Sequence, residues 1–252
     1  RKHYYQNHKL TNFKKINLKI NLDVLTNYES PFKKIRVGNK KGDGGYIIID
    51  LPNIKYNLLL SCGIDKDISF EEEFIRKYSN VKCISFDGTI NNLPNENDKI
   101  IFKKKNIGSE NNEKNTNMHS LLNENNSIFI KMDIEGWEIP WIKSLNYNQL
   151  DKINQIVIEF HDVFSDDKME VFNILNKNFY LVHFHGNNGC GFQLVNNILI
   201  PNVFECTYLN KKFFNKKPNL NAEVIPSKLD VKNDKRKKEI IINYEPFVHN
   251  LK

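Results

Sequence analysis

Two acids stand in the run Lys131-Met132-Asp133-Ile134-Glu135-Gly136-Trp137-Glu138, immediately after the apolar stretch Ile128-Phe129-Ile130. That stretch reads as a buried strand. Asp133 and Glu135 therefore emerge at the carboxyl end of a strand, where open α/β sheets hold their ligands. Carboxylates there are costly to desolvate unless something uses them; the plainer use is to cap a helix starting near Trp137. Two further strand ends carry similar chemistry. Glu159, His161 and Asp162 follow Ile156-Val157-Ile158, and His183, His185, Asn187 and Asn188 follow Tyr180-Leu181-Val182. Residues two apart on a strand share a face, which pairs Glu159 with His161 and His183 with His185. Imidazole titrates near neutrality and suits a general base. The same Asp and His donors could ligate a divalent metal, and a lone histidine is often only structural.

Ser61-Cys62-Gly63-Ile64-Asp65 follows the apolar Leu58-Leu59-Leu60. A glycine at a strand-to-helix turn lets the backbone approach a ligand, and the next helix offers free N–H groups; a tight turn alone also explains it. Asp87 ends the strand Val81–Phe86, 24 residues after Gly63. That is near the spacing expected of an acid that binds ribose hydroxyls, although Asp87-Gly88 also fits a plain turn. Lys41-Gly42-Asp43-Gly44-Gly45-Tyr46 reads either as a hairpin turn or as a loop over the same crevice.

The elements that must place these residues alternate. Strands are expected at Tyr46–Ile49, Leu58–Leu60, Val81–Phe86, Ile100–Phe102, Ile128–Met132, Ile156–Ile158 and Tyr180–Phe184. Ser69 and Glu72 match a capping box, with Phe70, Phe74 and Tyr78 on one face of the helix. A second helix is expected over Trp137–Leu145, and Ser165 caps a third that carries Met169, Phe172 and Leu175. Phe192–Val195, Ile198–Ile200 and Val203–Leu209 look antiparallel. The pattern predicts an α/β fold with a mostly parallel sheet and a late antiparallel strand. An N-terminal extension (1–32) precedes the main domain (33–210), and a basic segment (211–252) is expected to pack on it.

The chain has 252 residues, with 37 Lys and Arg against 30 Asp and Glu, a net charge of +7. The basic clusters, such as Lys211-Lys212, Lys216-Lys217 and Lys235-Arg236-Lys237-Lys238, read as solvated surface without an aromatic stacking platform. No apolar run reaches the roughly 20 residues that span a bilayer. The four cysteines lie far apart, which argues against a thiolate zinc site and for a reducing, cytoplasmic setting.

Taken in order, Asp43-Gly44-Gly45-Tyr46, Cys62-Gly63-Ile64 with Ser69-Phe70-Glu71, Phe86-Asp87, Lys131 to Gly136, Glu159-Phe160-His161 and His185-Gly186-Asn187-Asn188 resemble FkbM-type and related methyltransferases. These are class I enzymes dependent on S-adenosylmethionine (SAM). The resemblance covers roughly residues 33 to 209. It implies a Rossmann-like sheet and O-methylation of a sugar or a related small hydroxylated or phosphorylated metabolite, in surface polysaccharide or glycoconjugate tailoring. It implies that Gly63, Ile64, Asp65, Phe70, Asp87, Gly88 and Asp133 hold the cofactor. Tyr46, His185 and Asn187 are then expected at the substrate. His161 is the expected base, with Asp133 and Glu135 orienting it, the acceptor or a bound metal. Ser61-Cys62-Gly63 departs from many SAM loops in lacking an acid and a second glycine. The alternatives are a nucleic-acid methyltransferase, disfavoured because no Asn/Asp-Pro-Pro-aromatic run follows Ile128, and a binding module without turnover. A nicotinamide-dependent oxidoreductase lacks its glycine fingerprint.

Overall fold

The apolar runs that lack alternation are strands buried on both faces, as parallel sheets require. The computed structural model describes residues 15–249. In chain order the strands are β1 (Lys15–Ile16), β2 (Lys34–Gly38), β3 (Gly45–Ile49), β4 (Leu58–Cys62), β5 (Lys82–Phe86), β6 (Ile100–Lys103), β7 (Asn106–Ile107), β8 (Asn115–Thr116), β9 (Ile128–Met132), β10 (Ile153–His161), β11 (Phe179–Gly186), β12 (Phe192–Val195), β13 (Ile198–Pro201) and β14 (Val203–Asn210). The helices are α1 (Ser69–Lys77), α2 (His119–Glu124), α3 (Glu138–Ser144), α4 (Tyr147–Lys152) and α5 (Asp166–Asn178).

Seven strands form the central sheet in the order β11-β14-β10-β9-β4-β5-β6. Only β14 runs antiparallel to its neighbours β10 and β11; the other pairings are parallel. The mixed α/β architecture and the late antiparallel strand are as expected. The chain starts at β4, runs outward through β5 and β6, and returns to the other side of β4 as β9. The strand order therefore reverses between β4 and β9, and a crevice opens outside their carboxyl ends.

Helix α1 and the β2–β3 hairpin cover one face. Phe70 and Phe74 of α1 meet Phe129 of β9, with Phe74 and Phe129 ring centroids 4.6 Å apart. Such aromatic pairs add about 1 kcal/mol beyond their buried area. The other face carries α3 and α5, with Trp141, Ile142, Phe172 and Leu175 in one core with β9 and β10. The chain ends join this second face. Leu22 and Leu25 enter its core from the N-terminal side, and Ile242, Phe247 and Val248 from the C-terminal side. The first part of the expected N-terminal extension, residues 1–14, lies outside the described residues, as do residues 250–252.

Three expectations are corrected. Ser69 does not cap α1: the cap position is Ile68, and Asp67 Oδ1 accepts from Ser69 N–H at 2.8 Å instead. The first strands are not a βαβ unit, because β2 and β3 pair only with each other as an antiparallel hairpin. Side chains of the main sheet satisfy that hairpin's free edge. Gln155 accepts from Ile49 N–H at 2.6 Å and donates to Ile49 O at 3.1 Å, and Thr207 Oγ1 donates to Ile47 O at 2.6 Å. Finally, β12 and β13 pair antiparallel as expected but outside the central sheet, in a small sheet where β1 pairs with β12.

Gln155 is completely buried. Replacing it with Leu would leave both Ile49 backbone groups unpaired, so Gln155→Leu is expected to cost at least ~2 kcal/mol in urea unfolding with an unchanged far-UV spectrum.

Candidate active site

At the reversal point the backbone turns after β4 and β9 touch. Asp133 N–H donates to Cys62 O at 3.0 Å, and Gly63 N–H donates to Phe86 O at 2.9 Å. Gly63 has φ +76°, and a Cβ there would lie 1.7 Å from Asp133 O. The glycine is thus required by the packing of two backbone turns, whatever ligand lies beyond. Lys131 Nζ donates to Gly63 O and stands 5.4 Å over the Tyr46 ring, so a third residue bridges the turns.

A cavity of about 550 Å³ opens above this junction, a size typical of small-molecule sites. Tyr46, Gly63, Ile64, Asp65, Phe70, Asp87, Gly88, Asp133 and Glu135 all line it. The Asp43-Gly44 turn also reaches it, so that motif is both the β2–β3 hairpin turn and a wall of the crevice. Lys105 and Trp137 also line it, as do Asn106 and Ile107, which were not singled out in the sequence. Trp137 is 58% exposed at the rim.

Asp87 has more partners than expected. Its Oδ2 accepts from the N–H groups of Ile64 and Asp65 at 3.1 and 3.0 Å. Its Oδ1 accepts from Thr89 N–H at 2.8 Å and Thr89 Oγ1 at 2.6 Å. Burial alone would raise its pKa, but these four donors outweigh it and hold the carboxyl below its ordinary value. Asp87 therefore ties the turn after β4 to the turn after β5.

His161 ends β10 and, unlike the other expected site residues named above, does not itself line the cavity; it lies behind Asp133 and Glu135, ringed by acids. Its Nδ1 is 3.3 Å from Glu138 Oε1. Its Nε2 is 3.5 Å from Glu135 Oε2, 3.6 Å from Glu159 Oε1 and 4.0 Å from Asp133 Oδ1. Burial disfavours the charged ring, yet Glu138, Asp133 and Glu135 outweigh it and hold the imidazole above its usual pKa. Burial also raises the Asp133 carboxyl, against Lys131, His161 and the Tyr46 hydroxyl, which donates to Asp133 Oδ2 at 3.1 Å. Burial, Asp133 and Glu205 push Glu159 well above its ordinary range. Neither Asp133 nor Glu135 caps α3: Trp137 occupies the cap position without a side-chain bond, and Glu138 Oε1 accepts from Ile134 N–H at 3.0 Å.

The sheet register explains the second row of acids. Glu159 of β10, Glu205 of β14 and His185 of β11 are direct cross-strand neighbours. Glu205 was missed because nothing local marks it. Asn187 donates to Glu159 Oε1 at 3.1 Å. Asn233, from the C-terminal segment, donates to Asp43 Oδ1 at 3.3 Å and Glu205 Oε1 at 3.1 Å. His185 itself is sealed in, with no exposed surface. Its ring nitrogens lie 3.8 Å from Glu205 and 3.7 Å from Glu239. Burial works against its charge, but the two carboxylates push its pKa up to about 10. His183 is likewise buried, 2.8 Å from Asp230 Oδ1. Of the three histidines expected together at one edge, only His161 stands beside the cavity, because β14 separates β11 from β10.

Among the described residues, two donor sets lie close enough to hold a divalent cation: Asp133, Glu135 and His161, and Asp43, Glu159 and Glu205, each within 4.8 Å. The Glu135 side chain is 85% exposed, so the first set is not held rigidly around one centre. At the opposite edge of the sheet, Lys211 lies 4.9 Å over Tyr180 and Lys217 5.8 Å over Tyr28. Each of these tyrosine rings is covered by its lysine, from a segment distant in sequence, so the contacts tie basic residues to the fold.

No helix among the described residues is long and apolar enough to cross a membrane. No curated protein matches the chain. A solved structure from Streptococcus thermophilus, described as a candidate hemolysin, aligns at 8% identity with a TM-score of 0.35. That alignment covers 70% of this chain and 64% of the other, so the chain spans under two thirds of that protein. A family model of the methyltransferase FkbM domain matches residues 19–194, more than half of the chain and including every motif up to the His185–Asn188 turn. The chain belongs to the FkbM methyltransferase family.

Proposed function

We propose that this methyltransferase is a SAM-dependent O-methyltransferase acting on a sugar or a similar small hydroxylated metabolite. The observation that carries the reading is the position of His161: a carboxylate-ringed imidazole lies against Asp133 and Glu135, which line the cavity built on the β4/β9 reversal point.

The residues present fit SAM. The cavity has room for it, an ionised acid (Asp87) stands at one end, and Ile107, Ile134 and Trp137 offer apolar surface for a base. In this reading Asp87, already bonded to Ile64, Asp65 and Thr89, would hold the two turns that meet the ribose beside Gly88, Gly63 to Asp65 and Phe70 would border the methionine part, and Asp133 would lie on the sulfonium side. When bound, SAM supplies an activated methyl group. The protein's share is to align the acceptor oxygen and take its proton. His161 Nε2 receives that proton, and the surrounding carboxylates stabilise the imidazolium that forms. Tyr46 and Asp133 hold each other in place at the junction. Asp43 lines the cavity, and Glu159, Glu205, Asn187 and Asn233 join it in one hydrogen-bonded cluster, a wall of donors and acceptors that would suit a polyhydroxylated molecule. The wall's carboxylates favour neutral hydroxyls over a phosphate at this point. Saccharides of surface polysaccharides or glycoconjugates are the acceptor class we infer. A nucleic-acid substrate is disfavoured, because the lysine-aromatic patch lies at the opposite sheet edge from the cavity.

Titration calorimetry with SAM and S-adenosylhomocysteine is expected to show binding that falls at least tenfold in Asp87→Ala; no binding by the folded wild type would overturn the reading. With a saccharide acceptor, His161→Gln should lower kcat by roughly 10² or more while leaving SAM affinity within about threefold. The base must be neutral to accept a proton, so kcat/KM should rise with pH through an apparent pKa above the ordinary histidine value of about 6.5.

A further inference from the structure

We infer that Glu138 is a positioning residue for His161: its buried carboxylate accepts the Nδ1–H, so that the lone pair on Nε2 is the one presented to the cavity side. The consequence for turnover rests on the methyl-transfer reading; the geometry does not.

Glu138 has no exposed surface at all, an expensive place for a carboxylate. Its Oε1 accepts from Ile134 N–H at 3.0 Å and lies 3.3 Å from His161 Nδ1, while its Oε2 has no hydrogen-bond partner among the described residues. An acid in the first turn of a helix is stabilised by the helix's free N–H groups even when exposed. That duty alone gives no reason to bury Glu138 against an imidazole.

The ring's other nitrogen supplies the contrast. Nε2 faces Glu135, Glu159 and Asp133 at 3.5 to 4.0 Å, so no directed hydrogen bond holds a proton there. A neutral imidazole has one N–H, and it settles where a good acceptor stands. Glu138 is that acceptor. The groups facing the ring are Asp133 and Glu135 from the β9–α3 turn, Glu138 from α3 and Glu159 from the ring's own strand. All are acids, and Glu138 alone meets Nδ1. The arrangement repeats the general logic of a base whose far nitrogen is fixed by a buried acid.

The test uses ¹⁵N NMR of the His161 ring in the whole protein, which needs no acceptor. Wild type should show the Nδ1–H tautomer. Glu138→Met removes the acceptor and should shift the ring toward Nε2–H. Glu138→Gln keeps a carbonyl oxygen and should retain the tautomer, while removing the charge lowers the ring's pKa by about one pH unit. If Glu138→Met proves unfolded, the wild-type tautomer decides: an Nε2–H ring in the neutral wild type overturns the inference. In turnover, Glu138→Met should lower kcat at least tenfold with KM for SAM within about threefold. Glu138→Gln should recover most of that loss and move the acid limb of the pH profile downward. An unchanged tautomer in folded Glu138→Met, or a tautomer lost in Glu138→Gln, overturns the inference. Absence of turnover with every acceptor would count against the methyl-transfer reading and leave the NMR result standing.

Discussion

The structure depends on the contact between the backbone turns that follow β4 and β9. After β4 the chain passes to α1 on one face of the sheet, and after β9 it passes to α3 on the other. Two neighbouring strands that send their chains to opposite faces leave a crevice between them. Closing the floor of that crevice brings Gly63 against the Asp133 carbonyl, which only a residue without Cβ and tolerant of positive φ allows. Asp87, Lys131 and Tyr46 then brace the same junction from three sides. Each of these residues is placed by the floor, so the floor's geometry is also the geometry of the chemistry above it.

The second organising feature is a surplus of acid in a partly desolvated place. Asp133, Glu135, Glu138 and Glu159 surround one imidazole. Burial raises the pKa of Asp133 and Glu159, with Asp133 and Glu205 adding to the rise at Glu159, while the neighbouring carboxylates raise that of His161 against burial. Protons are thereby drawn to this cluster from both kinds of group. At the other end of the cavity Asp87 has four donors and stays ionised. Acids of similar type thus behave differently only because of the donors around them.

Much of this was legible in the sequence. Unbroken apolar runs marked the buried strands, and the acids at their ends fell on one edge because parallel strands share a direction. Asp133, Glu135 and His161 are together for that reason. Legibility failed where the outcome depends on lateral position in the sheet. His183 and His185 do share a face, as period two demands, but β14 inserts between β11 and β10 and removes them from the cavity. The β2–β3 hairpin turn was one of two readings of the glycine motif, but that the hairpin stands apart from the central sheet was not legible, because Gln155 and Thr207, which satisfy its edge, lie over 100 residues away in sequence. Glu138 was visible only as one more acid at a helix start. Its role appears when β10 brings His161 beside it. Asn233 and Asp230 had no local signal, since their partners lie on other strands.

The antiparallel β14 also bears on how this chain can be divided. The family match ends at residue 194, within β12, yet β14 (Val203–Asn210) sits between β10 and β11 and hydrogen-bonds to both. A fragment cut at that boundary would expose two long bare strand edges in mid-sheet, which invites pairing between molecules. It would also lose Glu205 from the acidic wall and Asn233 from its brace. The family's matched span is therefore a unit of sequence similarity and not a unit of folding: autonomy arises only when the chain re-enters its own sheet.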